Sequence, residues 1–168
     1  MPPMDLEMTI PELLRLALPG GLPPGVGTPT IVDGTLTVDV DARELPDLPT
    51  AARLAARAAG TVAVTVRVLR VVEGTAVLDV GVSARSLPAH RLVGLFLGPA
   101  ESVLRRALVA RGISGDAVRL RPEGSRLEVL ADTAAILASS RTPAHLRGSR
   151  VTTLRLGEGR LHVGVALP

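Results

Sequence analysis

The chain has 168 residues, of which 46% are hydrophobic and 21% charged, with a formal net charge of +3, no cysteine, and Phe96 as its one aromatic side chain. That length can bury a core without covalent staples, and the core must be aliphatic. The lack of Cys excludes disulfides, thiol catalysis and zinc-thiolate sites, and because all 19 basic residues are Arg, Schiff-base and phosphate-loop lysines are excluded too.

The N-terminal run Met1-Pro2-Pro3-Met4-Asp5-Leu6-Glu7 has neither the basic nor the apolar region of a secretory signal. The longest nearly apolar run, Leu92 to Ala100, falls well short of the roughly 20 residues that span a bilayer. A soluble, cytoplasmic protein with no transmembrane segment is expected. Charge is uneven along the chain: residues 1 to 50 hold eight acids against Arg15 and Arg43, a net −6, and residues 51 to 168 hold 17 Arg against eight acids, a net +9. Such polarity can dock the two parts on each other within one chain, or set up head-to-tail contacts between chains.

In chain order, Thr9 and Glu12 have capping-box spacing and precede Leu13, Leu14 and Leu16, which predicts a helix that Pro19-Gly20 stops. The Pro/Gly-rich stretch from Pro19 to Pro29 is a predicted loop. Pro29 to Val32 and Thr35 to Val40 then form a first hairpin around Asp33-Gly34. Asp47 caps a predicted helix over Pro49 to Ala59, ended by Gly60. Thr61 to Val72 and Thr75 to Val80 form a second hairpin around Glu73-Gly74, and its two-residue parity slips at Arg70, predicting a bulge near Leu69. Ser86 caps the most apolar helical stretch, Pro88 to Arg111, with a kink or a break into two helices expected at Gly98-Pro99. Ala117 to Arg121 and Ser125 to Leu130 form a third hairpin around Glu123-Gly124. Thr133 to Ser139 is a short helix capped by Asp132, and Arg141 to Ser149 a loop. Val151 to Leu156 and Arg160 to Val165 form the last hairpin around Glu158-Gly159. In each copy an acidic residue precedes the Gly, which takes the positive φ a tight turn demands, and an alternating apolar/polar strand follows.

These elements predict one α+β domain over residues 1–168: an N-terminal helix and loop over 1–27, then a hairpin and helix core over 28–168. The core is a curved, mostly antiparallel sheet of about eight strands in four hairpins, packed on a long kinked helix and shorter helices. In the third hairpin Val118, Leu120, Leu127 and Val129 share one parity, while Arg119, Arg121, Arg126 and Glu128 share the other, so one face is dry and the other wet.

No enzymatic constellation emerges. Gly81-Val82-Ser83-Ala84-Arg85 lacks the second glycine of a nucleophile elbow, and His90, His145 and His162 lie far apart without metal-ligand spacing. Gly25-Val26-Gly27 has no third glycine or helix start behind it, and Asp39 and Asp41 form a solvated pair on one strand face. No catalytic residue, metal or cofactor is therefore predicted. Arg141, Arg147, Arg150, Arg155 and Arg160 could bind phosphates, as could the Arg face of the third hairpin. The absence of aromatic platforms places nucleic-acid binding third among the functional readings.

The informative surplus is aliphatic. The 88–111 helix is apolar nearly all round, as a helix wrapped by a sheet requires, and Leu92, Leu95, Phe96, Val103, Leu104 and Leu108 are its candidate groove residues. Bent hairpins of the form Gly-Thr-Leu-Thr-Val-Asp-Val, seen at Gly34 to Val40, alternating with long apolar helices, resemble the tubular lipid-binding (TULIP) superfamily and its bacterial relatives over roughly residues 28 to 167. That resemblance implies a curved sheet around a long helix with lipid held in the seam. It rests on element order and hairpin style, so no family binding residue is carried over. The leading expectation is non-enzymatic binding of an apolar ligand such as a lipid. The alternative is a structural or assembly subunit whose aliphatic surface is an oligomer interface.

Overall fold

The computed structural model describes residues 3–139 and 142–168. All four hairpins form, and each closes through a two-residue loop. Val32 pairs with Thr35, Val72 with Thr75 and Gly157 with Arg160, so the loops are the acid-Gly pairs themselves. Both loop residues take positive φ: Asp33 +49° and Gly34 +72°, Glu73 +49° and Gly74 +80°, Glu158 +52° and Gly159 +73°. This is the type I′ requirement, which matches the right-handed twist of the flanking strands. The third hairpin differs. Glu123 pairs with Arg126 inside the ladder, and the loop is Gly124-Ser125, with Gly124 first at φ +64°.

Among the described residues the chain forms nine strands and four α-helices, joined by loops and two single-turn 3-10 helices: β1 (Met4–Thr9), α1 (Ile10–Ala17), β2 (Thr30–Val32), β3 (Thr35–Asp41), α2 (Thr50–Ala59), β4 (Thr61–Val72), β5 (Thr75–Ala84), α3 (Ala89–Ala110), β6 (Val118–Glu123), β7 (Arg126–Asp132), α4 (Thr133–Leu137), β8 (Arg150–Gly157) and β9 (Arg160–Ala166). The architecture is α+β with antiparallel pairing throughout. The strands divide between two sheets. Six run in the order β2-β3-β4-β5-β7-β6 and three in the order β1-β9-β8. The fourth hairpin therefore leaves the main sheet, and β1, which lies in the part read as helix and loop, completes its smaller one. β8 crosses the turn end of the main sheet. Its Leu156 carbonyl lies 3.4 Å from where a Cβ on Gly34 would sit, and its Arg150 Cγ lies 3.2 Å from the same point on Gly74.

The register of β4 on β5 shifts between Val68 and Arg70, the bulge expected near Leu69. It returns Val71 and Val72 to pairing with Ala76 and Thr75 after the parity slip. The 19–29 loop is tied to β3: the Gly27 amide donates to the Asp39 carbonyl and the Asp41 amide to the Gly25 carbonyl, both at 2.7 Å. A Cβ on Gly25 would sit 2.9 Å from the Asp41 carbonyl oxygen, so only glycine allows this approach.

The helix caps divide into two that form and two that do not. Thr9 and Glu12 make both capping-box bonds and α4 starts at Asp132, whose carboxylate accepts from the Ala135 amide at 3.0 Å. Asp47 does not cap α2, because the Ncap position falls on Pro49 and Asp47 itself is held at φ +55°. Ser86 does not cap α3, whose Ncap is Pro88. The Ser86 hydroxyl instead donates to the Ala58 carbonyl at the end of α2. Nor does Gly98-Pro99 divide α3, which is a single helix of 22 residues containing Pro99. Proline removes one ladder bond there. Leu92 and Val93 on one side and Leu108 on the other are all buried, and these anchors hold both halves to the rest of the fold.

The principal core gathers Ala42, Leu48, Ala52, Ala56, Ala59, Val62 and Leu92, with Val64, Val82, Ala84, Leu87 and Phe96 packed around it. It is built where α2 and the first turns of α3 meet the start of β4 and the end of β5. Small residues on one stripe of α2 let the helices approach closely, and Leu92, at 2% exposure, fills the space between them. Full burial of such a side chain contributes about 1.5–3 kcal/mol.

Candidate functional site

The main sheet has two chemically distinct faces. Pairing aligns Leu36, Val66, Val80 and Leu127 in one row and Val68, Leu78, Val129 and Leu120 in the next. This aliphatic face extends from β3 to β6 and is the side on which Val62, Val64 and Val82 meet α3. Most of these side chains remain half-buried. The opposite face carries the row Arg67, Asp79, Glu128, Arg121 across β4, β5, β7 and β6. There Arg126 binds Asp79 with Nη2 to Oδ2 at 2.7 Å, and Arg121 lies 3.5 Å from Glu128. The hydrogen bond to Asp79 raises the Arg126 guanidinium above its ordinary pKa. This is the wet Arg face expected of the third hairpin, with two of its guanidinia engaged by carboxylates. Arg141, named with the C-terminal arginines, lies outside the described residues.

The six residues expected from sequence to form a groove do not share one surface. Leu92 is buried in the core and Leu108 is 8% exposed, Leu95, Phe96 and Leu104 are half-buried, and Val103 is 52% exposed. The stripe Leu92, Phe96, Pro99, Val103 leaves the core as α3 proceeds, and a different stripe, Leu104, Ala107 and Leu108, turns inward in its second half. A helix on a twisted sheet rotates its contact line in this way, so an all-round apolar sequence gives partial rather than complete cover.

Two of the surface depressions lie away from α3. One, of about 350 Å³, lies on the small sheet over Gly164 and is lined by Asp5, Glu7, Thr153, Arg155 and His162 with Leu6 and Val163. Pairing sets Glu7 opposite His162 and His162 opposite Arg155. The other, of about 300 Å³, has Ala42, Leu45, Leu48 and Ala56 as apolar lining and Arg43, Arg53, Arg57 and Asp47 as polar lining. Two of these arginines are already occupied. Arg43 is bonded by Asp41 at 2.6 Å and Arg53 donates to the Leu48 carbonyl at 3.2 Å. The bond to Arg43 holds the Asp41 carboxyl below its usual pKa. Among the described residues no group of three or more His, Asp or Glu is placed to hold a metal ion, and no helix is long and apolar enough to cross a membrane.

More informative are the sheet edges and the total surface. β1 and β6 are the outer strands at one end of their sheets, and both alternate exposed charge with half-buried apolar residues: Asp5 and Glu7 on β1, Arg119 and Arg121 on β6. β1 is hard to see in the sequence although Met4-Asp5-Leu6-Glu7-Met8 has the strand period, because the adjoining capping box draws the segment into a helix. Leu16, Val32, Leu54, Leu69, Val72, Val103 and Val109 are each at least half exposed. The accessible surface totals 9953 Å². No protein-family model, curated protein or solved structure matches the chain.

Proposed function

We propose that the chain is a non-enzymatic assembly subunit that buries aliphatic surface by associating with further copies of itself. One observation carries this reading. A monomeric protein of 17.4 kDa exposes about 7,900 Å² by the usual scaling of surface with mass, and this chain exposes 9953 Å². The excess, about 2,000 Å², compares with about 800 Å² that each partner contributes to a standard interface. Aliphatic side chains left at least half exposed on α1, β2, α2, β4 and α3 supply apolar area whose removal from water drives association. Sedimentation across a concentration series tests it: mass-action association is expected, and a strict monomer at the highest attainable concentration overturns it.

A second reading, favoured by the half-buried aliphatic face of the main sheet beneath α3, is that an apolar ligand such as a lipid completes that face. It accords with the resemblance to the tubular lipid-binding superfamily. Native mass spectrometry of gently purified protein is expected to show an added mass of lipid size if this holds, and a bare chain mass removes it.

A further inference from the structure

We infer that copies of the chain join head to tail by adding β1 of one copy to the outer edge of β6 of the next. The inference rests on the self-association reading and names its surface. Among the described residues β1 pairs only with β9 and β6 only with β7, so each strand keeps one row of backbone N–H and C=O groups without a strand partner. Such edges are templates for strand addition, and natural proteins usually blunt them with like charge. Here the charges on the two edges are opposite, with Asp5 and Glu7 on one and Arg119 and Arg121 on the other, all four exposed.

The two strands are six residues each and match in parallel register. The two-residue turns make Glu123/Arg126 and Gly157/Arg160 bonded pairs, and the Asp132 amide bonds the Ala117 carbonyl, so Val118 and Leu120 of β6 and Asp5 and Glu7 of β1 turn their backbone groups outward. Asp5 set opposite Arg119 places Glu7 opposite Arg121, Leu6 opposite Leu120 and Met4 opposite Val118. Both charge pairs then lie on one face and both apolar pairs on the other, the arrangement that stabilises cross-strand neighbours. Pro122, which has no amide to donate, falls opposite Met8 at the end of the register. The joined sheet continues a charge row already present, since Arg67, Asp79, Glu128 and Arg121 would be followed by Glu7. Among the described residues Asp5 and Arg119 have no ion-pair partner, whereas Arg121 already touches Glu128 and Glu7 already touches Arg160. The contact uses different surfaces on the two copies, so it builds a ring or an open filament rather than a two-fold dimer.

Charge swapping tests it. Asp5→Arg with Glu7→Arg in one variant, and Arg119→Glu with Arg121→Glu in another, each set like charges against like across the junction. Each variant alone is expected to sediment as a monomer, and an equal mixture of the two to recover the assembly of the native chain. Loss in both variants without recovery in the mixture overturns the pairing. Should a variant fail to fold by circular dichroism, a peptide of residues 3–10 added in excess to the native chain decides instead: occupying the β6 edge, it is expected to dissolve the assembly, and no effect overturns the inference. A native chain that is monomeric throughout overturns the self-association reading itself. A native assembly indifferent to both variants and to the peptide overturns only the β1–β6 junction.

Discussion

Arg126 of β7 binds Asp79 of β5 across a gap that Gly81 leaves open. The Arg126 Nε donates to Asp79 Oδ1 at 2.8 Å, and a Cβ on Gly81 would lie 2.8 Å from both Arg126 Nη1 and Thr65 Oγ1. The missing side chain is therefore what admits the guanidinium. Gly81→Ala is expected to cost about 1–2 kcal/mol in urea unfolding. Much of that cost should vanish in an Arg126→Met background, with a coupling of about 0.5 kcal/mol or more. An equal cost in both backgrounds would show that the glycine does not serve the guanidinium.

The type I′ turns make a backbone prediction free of packing. At Gly159 nothing lies within 4 Å of where a Cβ would sit and φ is +73°, so Gly159→Ala should cost about 1–2 kcal/mol from left-handed strain alone. Glu158, at φ +52°, is not a residue suited to that region. Glu158→Asn should raise the melting temperature, because the short amide side chain tolerates it.

Along α3 the same substitution type should have different outcomes. Leu92→Ala is expected to cost about 2–5 kcal/mol, the range for a large-to-small change in a core, and Val103→Ala to fall within about 0.5 kcal/mol, as surface changes do. Pro99→Ala should stabilise, by at most about 3 kcal/mol, by restoring the missing ladder bond. Comparable losses for Leu92→Ala and Val103→Ala would contradict the rotation of the helix contact line.

The capping box makes α1 sensitive to acid. The Thr9 amide, and after it the Thr9 hydroxyl, hold the Glu12 carboxyl below its ordinary value near 4.5. A group whose pKa is depressed by folding contributes stability that is present above its unfolded value and lost as pH falls through the folded one. Amide-exchange protection in α1 should therefore decline below about pH 4.5, and Glu12→Gln should remove that decline. A Glu12 carboxyl that titrates at its ordinary value near 4.5 in the folded protein would refute the assignment.

Much of the fold was legible because its signals are local. Acid-Gly pairs between alternating strands identify all four hairpins, the parity slip at Arg70 locates the bulge, and Thr9 with Glu12 and Asp132 mark two helix starts. In each case the deciding interactions span only a few residues. The same locality misled at Asp47 and Ser86, which have capping chemistry but are displaced by Pro49 and Pro88; at Pro99 the alternative of two separate helices is excluded, because α3 runs through it as one helix with Leu92 and Leu108 buried on either side.

The sequence by itself determined the hairpins, three of their four turns, the aliphatic character of the core and the parity that separates dry from wet faces. Period and turn chemistry act on neighbouring residues and need nothing else. Only the tertiary structure decided that β1 joins β9, with Glu7 reaching Arg160 across 153 positions, and that the strands divide into two sheets. It alone decided that α3 shows Val103 to solvent and that opposite charges stand on two open edges. Those outcomes depend on which distant surfaces meet so as to hide the most aliphatic area together, and no local pattern encodes that choice.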